Sequence, residues 1–282
     1  MKYLKTILLA SLVALILPAC SDSNDNYTNT QSMTLKASDS FISSYSIKDN
    51  TTYALSGAPI LLTVDFANST IQLSVNSLQY DPNELAISFE LPATPFAYKE
   101  SGWELSSTAT FDIESGSHHT ISDLNIKFNS RANGMQVLTK LSFIVDNNYD
   151  VCFIFRQNVF SGTTRTFDIN NPSDVFTTET PLYMVQLNSD GKTAFLAIAN
   201  PQFVSNMPST ISSMQFPALN VKYIRGGIQF ESEKLTPTIG DTPYPKYEIT
   251  DFNGIMVLGS SLNLDFKCMA FTREVEVTGK PY

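Results

Sequence analysis

Leu262-Asn263-Leu264-Asp265-Phe266-Lys267-Cys268 is the stretch that decides the fold of this chain. Apolar and polar residues alternate without a break, which is the period of a strand with one face in a core and the other in water. The alternation puts Cys268 on the apolar face. Two more stretches follow the same rule. Ile71, Leu73 and Val75 alternate with Gln72, Ser74 and Asn76, and Leu124, Ile126 and Phe128 alternate with Asn125 and Lys127. Asn133-Gly134, Asp190-Gly191 and Gly240-Asp241 punctuate the runs as turns. Sustained 3.6-residue periodicity is missing, and only 205–211 and 172–176 read as short helices. Many short strands joined by turns predict antiparallel barrels or sandwiches.

The pattern is written twice. Glu90-Leu91-Pro92 aligns with Gln215-Phe216-Pro217 at a shift of 125, and Gly102-Trp103-Glu104-Leu105 aligns with Gly227-Ile228-Gln229-Phe230 at the same shift. Ile121-Ser122-Asp123-Leu124-Asn125 aligns with Ile249-Thr250-Asp251-Phe252-Asn253 at a shift of 128, so a loop insertion separates the blocks. Leu78-Gln79-Tyr80 similarly faces Pro201-Gln202-Phe203. The shared order predicts an all-β chain of two tandem, internally duplicated domains, 34–157 and 158–282. Each is long enough for some eight strands. Asn253-Gly254 has the look of a hairpin turn, but its counterpart Asn125-Ile126 lies inside a strand, so the expectation is a glycine bulge.

The start of the chain predicts location. Lys2 and Lys5 precede an apolar run over 7–16, and Leu17-Pro18-Ala19-Cys20 closes it, which resembles a bacterial lipoprotein signal. The resemblance implies that 1–20 is a signal peptide and that Cys20 carries the lipid that anchors the protein to the membrane. The run is too short to span a ~30 Å hydrocarbon core comfortably. Residues 21–33 are polar and unpatterned, the composition of a flexible tether. Asp22 and Asp25 there resemble a weak address for the outer surface. Removal of 1–20 takes away two basic residues and no acidic one, which moves the formal charge from −9 to −11. So acidic a chain argues against nucleic acid as a partner, because phosphate neutralisation needs clustered Lys and Arg.

Each unit, the second above all, is similar to the calycin-like β-barrel domains of two-domain lipoproteins from Gram-negative envelopes. The likeness rests on 195–200, on 214–221, and on Ile249-Thr250-Asp251-Phe252-Asn253-Gly254 followed by Leu262-Asn263-Leu264-Asp265-Phe266. It implies a barrel fold and an outer-membrane location, on the periplasmic face or the cell surface, and it implies no activity. The first unit departs from the pattern at Ile126, where the second has Gly254.

Residues with chemistry are few. His118 and His119 are the only histidines. Neighbours on a strand point to opposite faces and cannot chelate one ion together; in a loop they could, but no Cys and no carboxylate at a metal-ligand spacing completes a set, so they read as two exposed loop histidines and not as a metal site. The residue types of a Ser-His-Asp triad are present, but no Gly-x-Ser-x-Gly elbow accompanies them. Two oxygen-rich clusters, Asp168 with Asn170, Asn171 and Asp174, and Asp146 with Asn147, Asn148 and Asp150, lack the glycine and glutamate of an EF-hand loop and read as polar turns. Cys152 and Cys268 read as buried free thiols. Trp103 aligns with Ile228, an interior position. Prolines demote 242–247 from a central strand, so Tyr244 and Tyr247 read as loop rings able to stack on a sugar or peptide, with Tyr223 a third candidate. The expectation is a non-enzymatic binding or accessory module for glycan or peptide, with no cofactor, no metal and no catalytic residue. Two other readings stand beside it. One is a structural or assembly subunit of an outer-membrane complex. The other is a carrier of a small hydrophobic ligand inside a barrel.

Overall fold

The computed structural model describes residues 16–17, 30–99, 102–130, 136–179, 182–207, 211–240 and 242–282. Cys20, 21–29 and the Asn133-Gly134 turn lie outside the described residues. The chain divides into two compact units, Met1–Phe155 and Arg156–Tyr282. Both are antiparallel β, with no helix beyond single 3-10 turns among the described residues.

The first unit contains β1 (Thr30–Leu35), β2 (Ser40–Ser46), β3 (Thr51–Ser56), β4 (Ile60–Asp65), β5 (Thr70–Leu78), β6 (Ile87–Glu90), β7 (Gly102–Ser107), β8 (His118–Ser130), β9 (Gln136–Val145) and β10 (Tyr149–Phe155). They form two sheets. One runs β3-β2-β10-β9-β8-β7, with Ala97–Lys99 outside β7 and Phe111–Glu114 against β8. The other runs β1-β4-β5-β6, with Thr94–Pro95 against β5. Ile16–Leu17 pair with the start of β9. β1 corrects the reading of 21–33 as tether, since Thr30 to Met33 already pair with β4.

Two corners part these sheets. Between β1 and β2 the chain makes a 3-10 turn at Ala37–Asp39, where the Lys36 N–H donates to Asp39 Oδ2 at 2.8 Å. Gly57 lets the chain pass this corner, because a Cβ there would lie 2.3 Å from Ser40 O and 2.4 Å from Ala37 O. Beyond β6, Pro92 and Pro95 interrupt the ladder, since neither has an N–H to give.

The second unit contains β11 (Gln157–Asp168), β12 (Asn171–Thr178), β13 (Leu182–Leu187), β14 (Thr193–Ala199), β15 (Ser213–Ile224), β16 (Gly227–Leu235), β17 (Ile249–Val257), β18 (Ser261–Cys268) and β19 (Arg273–Pro281). Eight of them close a ring in the order β11-β13-β14-β15-β16-β17-β18-β19 and back to β11. Long strands make closure possible. β11 gives its first residues to β13, its last to β12 and Phe160 to Asp168 to β19. β15 pairs with β14 as far as Asn220 and with β16 from Asn220 on, and a bulge at Pro217-Ala218, with Ala218 at φ 60°, bends it within the β14 ladder.

Inward residues fill this barrel. Phe216, Phe230, Phe252 and Phe266 are fully buried. Phe252 stacks on Phe266 at 5.6 Å and Phe203 meets Phe266 edge-on at 5.7 Å. Each such ring contributes about 1.5–3 kcal/mol through burial alone. The helix expected at 172–176 is instead part of β12, which pairs with β11 and carries mostly exposed side chains. Against the helix expected at 205–211, residues 203–206 form bends and turns, 208–210 lie outside the described residues, and Phe203, Met207 and Ile211 are buried.

The two units share local devices. Asp123 of β8 at φ 50° and Asp251 of β17 at φ 53° each sit in a bulge. In each, the next asparagine turns its amide back. Asn125 Nδ2 donates to Asp123 O at 2.8 Å, and Asn253 Nδ2 donates to Asp251 O at 3.3 Å. β7 and β16 both open on a glycine pressed against the neighbouring strand. A Cβ at Gly102 would lie 2.0 Å from Phe128 O, and one at Gly227 would lie 2.0 Å from Met256 O. The bulge expected at Gly254 is therefore three residues upstream, at Asp251. Gly254 itself is in regular register opposite Leu264 and faces inward, where a Cβ would come within 2.8 Å of Leu264 Cδ2 and 3.0 Å of Phe230 Cδ2. Its absence at Ile126 has a compensation: Phe230 lies opposite Gly254, while the smaller Leu105 lies opposite Ile126.

Candidate functional site

The tyrosine candidates separate in the structure. A 3-10 turn at Pro245–Tyr247, begun by proline, follows Tyr244. The Tyr247 N–H donates to Tyr244 O at 3.0 Å, and the Met269 N–H donates to Glu248 O at 3.1 Å, which ties the turn to a second one at Met269–Phe271. Tyr247 is 6% exposed and forms the floor of a ledge. Tyr244 stacks on it at 6.1 Å and 27°, Phe271 supports it at 5.4 Å, and the Lys246 ammonium lies 5.9 Å from the ring centre. Tyr244 is 39% and Met269 49% exposed, and together they form the outer surface of the ledge. A ring that rests on a buried ring is restricted on one side before any ligand arrives, which lowers the ordering cost of binding.

Tyr223 joins neither ring. It lies on β15 opposite Ile228, half-buried, with its hydroxyl oxygen buried and without a hydrogen-bond partner. Burial, with the Asp190 charge second, pushes its hydroxyl above the ordinary tyrosine range. Trp103 is also displaced from its expected interior place. It is half-buried in an aromatic cluster with Phe96 at 4.8 Å, Tyr98 at 5.1 Å and Phe66 at 5.7 Å, and Tyr98 is 58% exposed. The alignment with Ile228 could not reveal this, because the cluster depends on the broken corner that places Phe96 and Tyr98 beside β7.

The histidines are strand residues, not loop residues, and they point apart as alternation requires. His118 is exposed and faces Glu114 at 3.1 Å and Asp112 at 3.4 Å. His119 faces the other way. Its Nδ1 lies 2.9 Å from Asp146 Oδ2 and its Nε2 lies 2.8 Å from Ser117 Oγ. Beside it, Tyr80 packs edge-on against His119 and Tyr149, and the Tyr149 hydroxyl donates to Asp81 Oδ2 at 2.5 Å. That bond, with the Asn83 N–H second, holds the Asp81 carboxyl below the usual carboxylate range, and the same bond raises the Tyr149 hydroxyl.

The oxygen-rich clusters are used locally. Asp168 Oδ1 accepts from the Asn170 and Asn171 N–H groups at 2.8 and 3.1 Å, and Asp174 pairs with Arg273 at 2.7 Å. Cys152 and Cys268 are buried and unbridged, one in each unit, and burial pushes both thiols up to about 12.

No family model matches the chain, and no curated protein matches it. Among solved structures it is similar to a double mutant of the vaccine antigen transferrin binding protein B from Haemophilus parasuis Hp5, at 8% identity and a TM-score of 0.25, over 89% of this chain and 75% of that one. At that TM-score the fold has to be read from the strand pairings themselves.

Proposed function

We propose that this protein is a cell-envelope lipoprotein, held to the outer membrane by lipid on Cys20, that serves as a non-enzymatic binding or accessory module for a glycan or peptide. The observation that supports this reading is the contrast in the second unit between a filled barrel and an ordered outer ledge. Four fully buried phenylalanines occupy the space a carried ligand would need. The exposed Tyr244 ring, by contrast, is backed by Tyr247, which in turn packs on Phe271 and has the Lys246 ammonium over its own ring. An exposed aromatic face backed by a buried ring suits a ring-shaped or planar polar group.

The test is a glycan and peptide array probed with the 21–282 chain, followed by titration of any hit against Tyr244→Ala. Loss of a stacked aromatic contact costs about 0.5–1.5 kcal/mol beyond the area it covers, so affinity should fall roughly tenfold. Thermal stability should stay close to that of the parent, because Tyr244 is partly exposed. Silence across the array at millimolar ligand, or hits indifferent to Tyr244, removes the ledge reading. Metabolic labelling with a fatty acid, compared with Cys20→Ser, tests the anchor.

A further inference from the structure

The first unit holds a hydrogen-bonded series of three side chains that neither the ledge nor the fold requires. The hairpin between Phe111–Glu114 and β8 turns through Ser115-Gly116-Ser117. Ser117 is the last residue of that turn and His119 the second of β8, and the turn brings the Ser117 hydroxyl to the His119 ring. Ser117 Oγ meets His119 Nε2 at 2.8 Å, and His119 Nδ1 meets Asp146 Oδ2 at 2.9 Å. Asp146 comes from the turn between β9 and β10. Its other oxygen accepts from the Thr120 N–H at 2.8 Å, and its own N–H donates to Thr120 O at 2.9 Å, so the carboxylate is fixed from two directions. An ionised carboxylate can only accept. The proton therefore sits on Nδ1, and Nε2 offers its lone pair to the serine hydroxyl. Hydroxyl, imidazole and carboxylate in this order is the arrangement that raises the nucleophilicity of a serine.

Support and access both suit that role. The His119 side chain is 11% exposed and its ring packs edge-on against buried Tyr80 at 6.2 Å. Ser117 is exposed, and Gly116 beside it has no atom within 4 Å of where a Cβ would be. The acceptor oxygen is open while its base is held.

We infer that Ser117 is an acylation site, with His119 as general base and Asp146 as the residue that positions it. The acyl donor is a carboxylic ester with a good leaving group. Ser117 Oγ forms a bond to the acyl carbon as the bond from that carbon to the leaving oxygen breaks. The Oγ proton passes to His119 Nε2 and from there to the departing alkoxide, so the relay ends neutral and Ser117 carries the ester. An open hairpin tip selects donors by leaving group, not by shape. The inference goes beyond the binding reading and is independent of the ledge.

The test uses the 21–282 chain with p-nitrophenyl acetate. The expected result is a burst of one equivalent of p-nitrophenolate, with one acetyl group mapped to Ser117 by peptide mass spectrometry above a lysine background common to all variants. Ser117→Ala removes the burst and Ser115→Ala keeps it. His119→Ala slows it about a hundredfold, the lower end of general-base effects, and added imidazole restores part of the rate, which a purely structural role would not allow. Asp146→Asn slows the burst, and nitrogen NMR, simple in a chain with two histidines, shows His119 leaving the Nδ1–H tautomer. Circular dichroism identifies any variant that has lost its fold. Acetyl groups on lysines only, or a burst unchanged in Ser117→Ala or His119→Ala, overturns the inference.

Discussion

Leu105 faces Ile126 in the first unit, and Phe230 faces Gly254 in the second. The strands run in the same order in both units, with matching aspartate bulges, yet the second closes into a ring and the first parts into two sheets. The difference lies in two strands. β11 and β15 each run on past a corner, whereas in the first unit the 3-10 turn at Ala37–Asp39 and the prolines at 92 and 95 cut the corresponding paths. A ring with continuous hydrogen bonding around its circumference opens only as a whole, while two sheets can part locally. This teaches that closure of such a barrel is decided by a few corner residues, not by the alternation along its strands.

The comparison can be broken at its centre. Phe266→Ala removes a ring that touches Phe203, Phe216 and Phe252 and should lower the stability of the second unit by about 3–5 kcal/mol. Phe143→Ala, which loses contacts with Phe89 and Phe153 in the first unit, should fall at the lower end of that range. Calorimetry on both variants checks the order, and a larger loss from Phe143→Ala would refute the view that the closed ring is the tighter core.

The exchange of sizes predicts a rescue. Gly254→Ile forces a side chain against Leu264 and Phe230 and should cost about 1–3 kcal/mol, as overpacking does. Adding Phe230→Leu recreates the first unit's pair and should recover about 1 kcal/mol or more, a coupling read from a double-mutant cycle by denaturant melts. Strict additivity would mean that the two positions do not share volume.

The two buried thiols give each unit its own reporter. Under native conditions a thiol reagent in excess should modify Cys152 sooner than Cys268, because two sheets open more easily than a ring. Timed labelling with mass mapping decides it, and the reverse order would favour a loose barrel.

The smallest expected effect is acid sensitivity in the first unit. The Asp81 carboxyl is depressed in the folded state, so its contribution is present above the unfolded value of about 3.9 and is lost as pH falls through the lower folded value. Asp81→Asn should flatten the acid limb of first-unit stability below about pH 5 and leave the second unit's limb unchanged. Fluorescence-monitored melts across pH show whether it does.

Much of this architecture was legible in the residues, and the failures have physical causes. The strict alternation at 262–268 and 71–76 reads directly as half-buried strands. The glycine at 254 drew attention from Asp251, because an aspartate in the left-handed region announces itself only through backbone angles. Residues 172–176 read as a short helix because the mostly exposed residues of β12 carry no inward alternation to mark a strand. The corners were invisible because the path of a strand past a proline depends on what lies across from it. Ser117, His119 and Asp146 could not be joined by eye either. The serine reaches the histidine through the turn before β8, and Asp146 is brought to them by the pairing of β8 with β9.

β11 and β19 have one more consequence. They bind along nearly their full lengths, from Phe160 opposite Pro281 to Asp168 opposite Arg273, and the Tyr282 N–H donates to Val159 O at 2.9 Å. The first wall of the barrel is thus its last to be paired. A chain made from its N-terminus must hold β11 through the synthesis of every other strand before the ring has a seam to close. During that interval β11 offers an unpaired edge, so a chaperone that shields this strand, or a truncation just ahead of Arg273, should govern yield far more than any change on the finished surface.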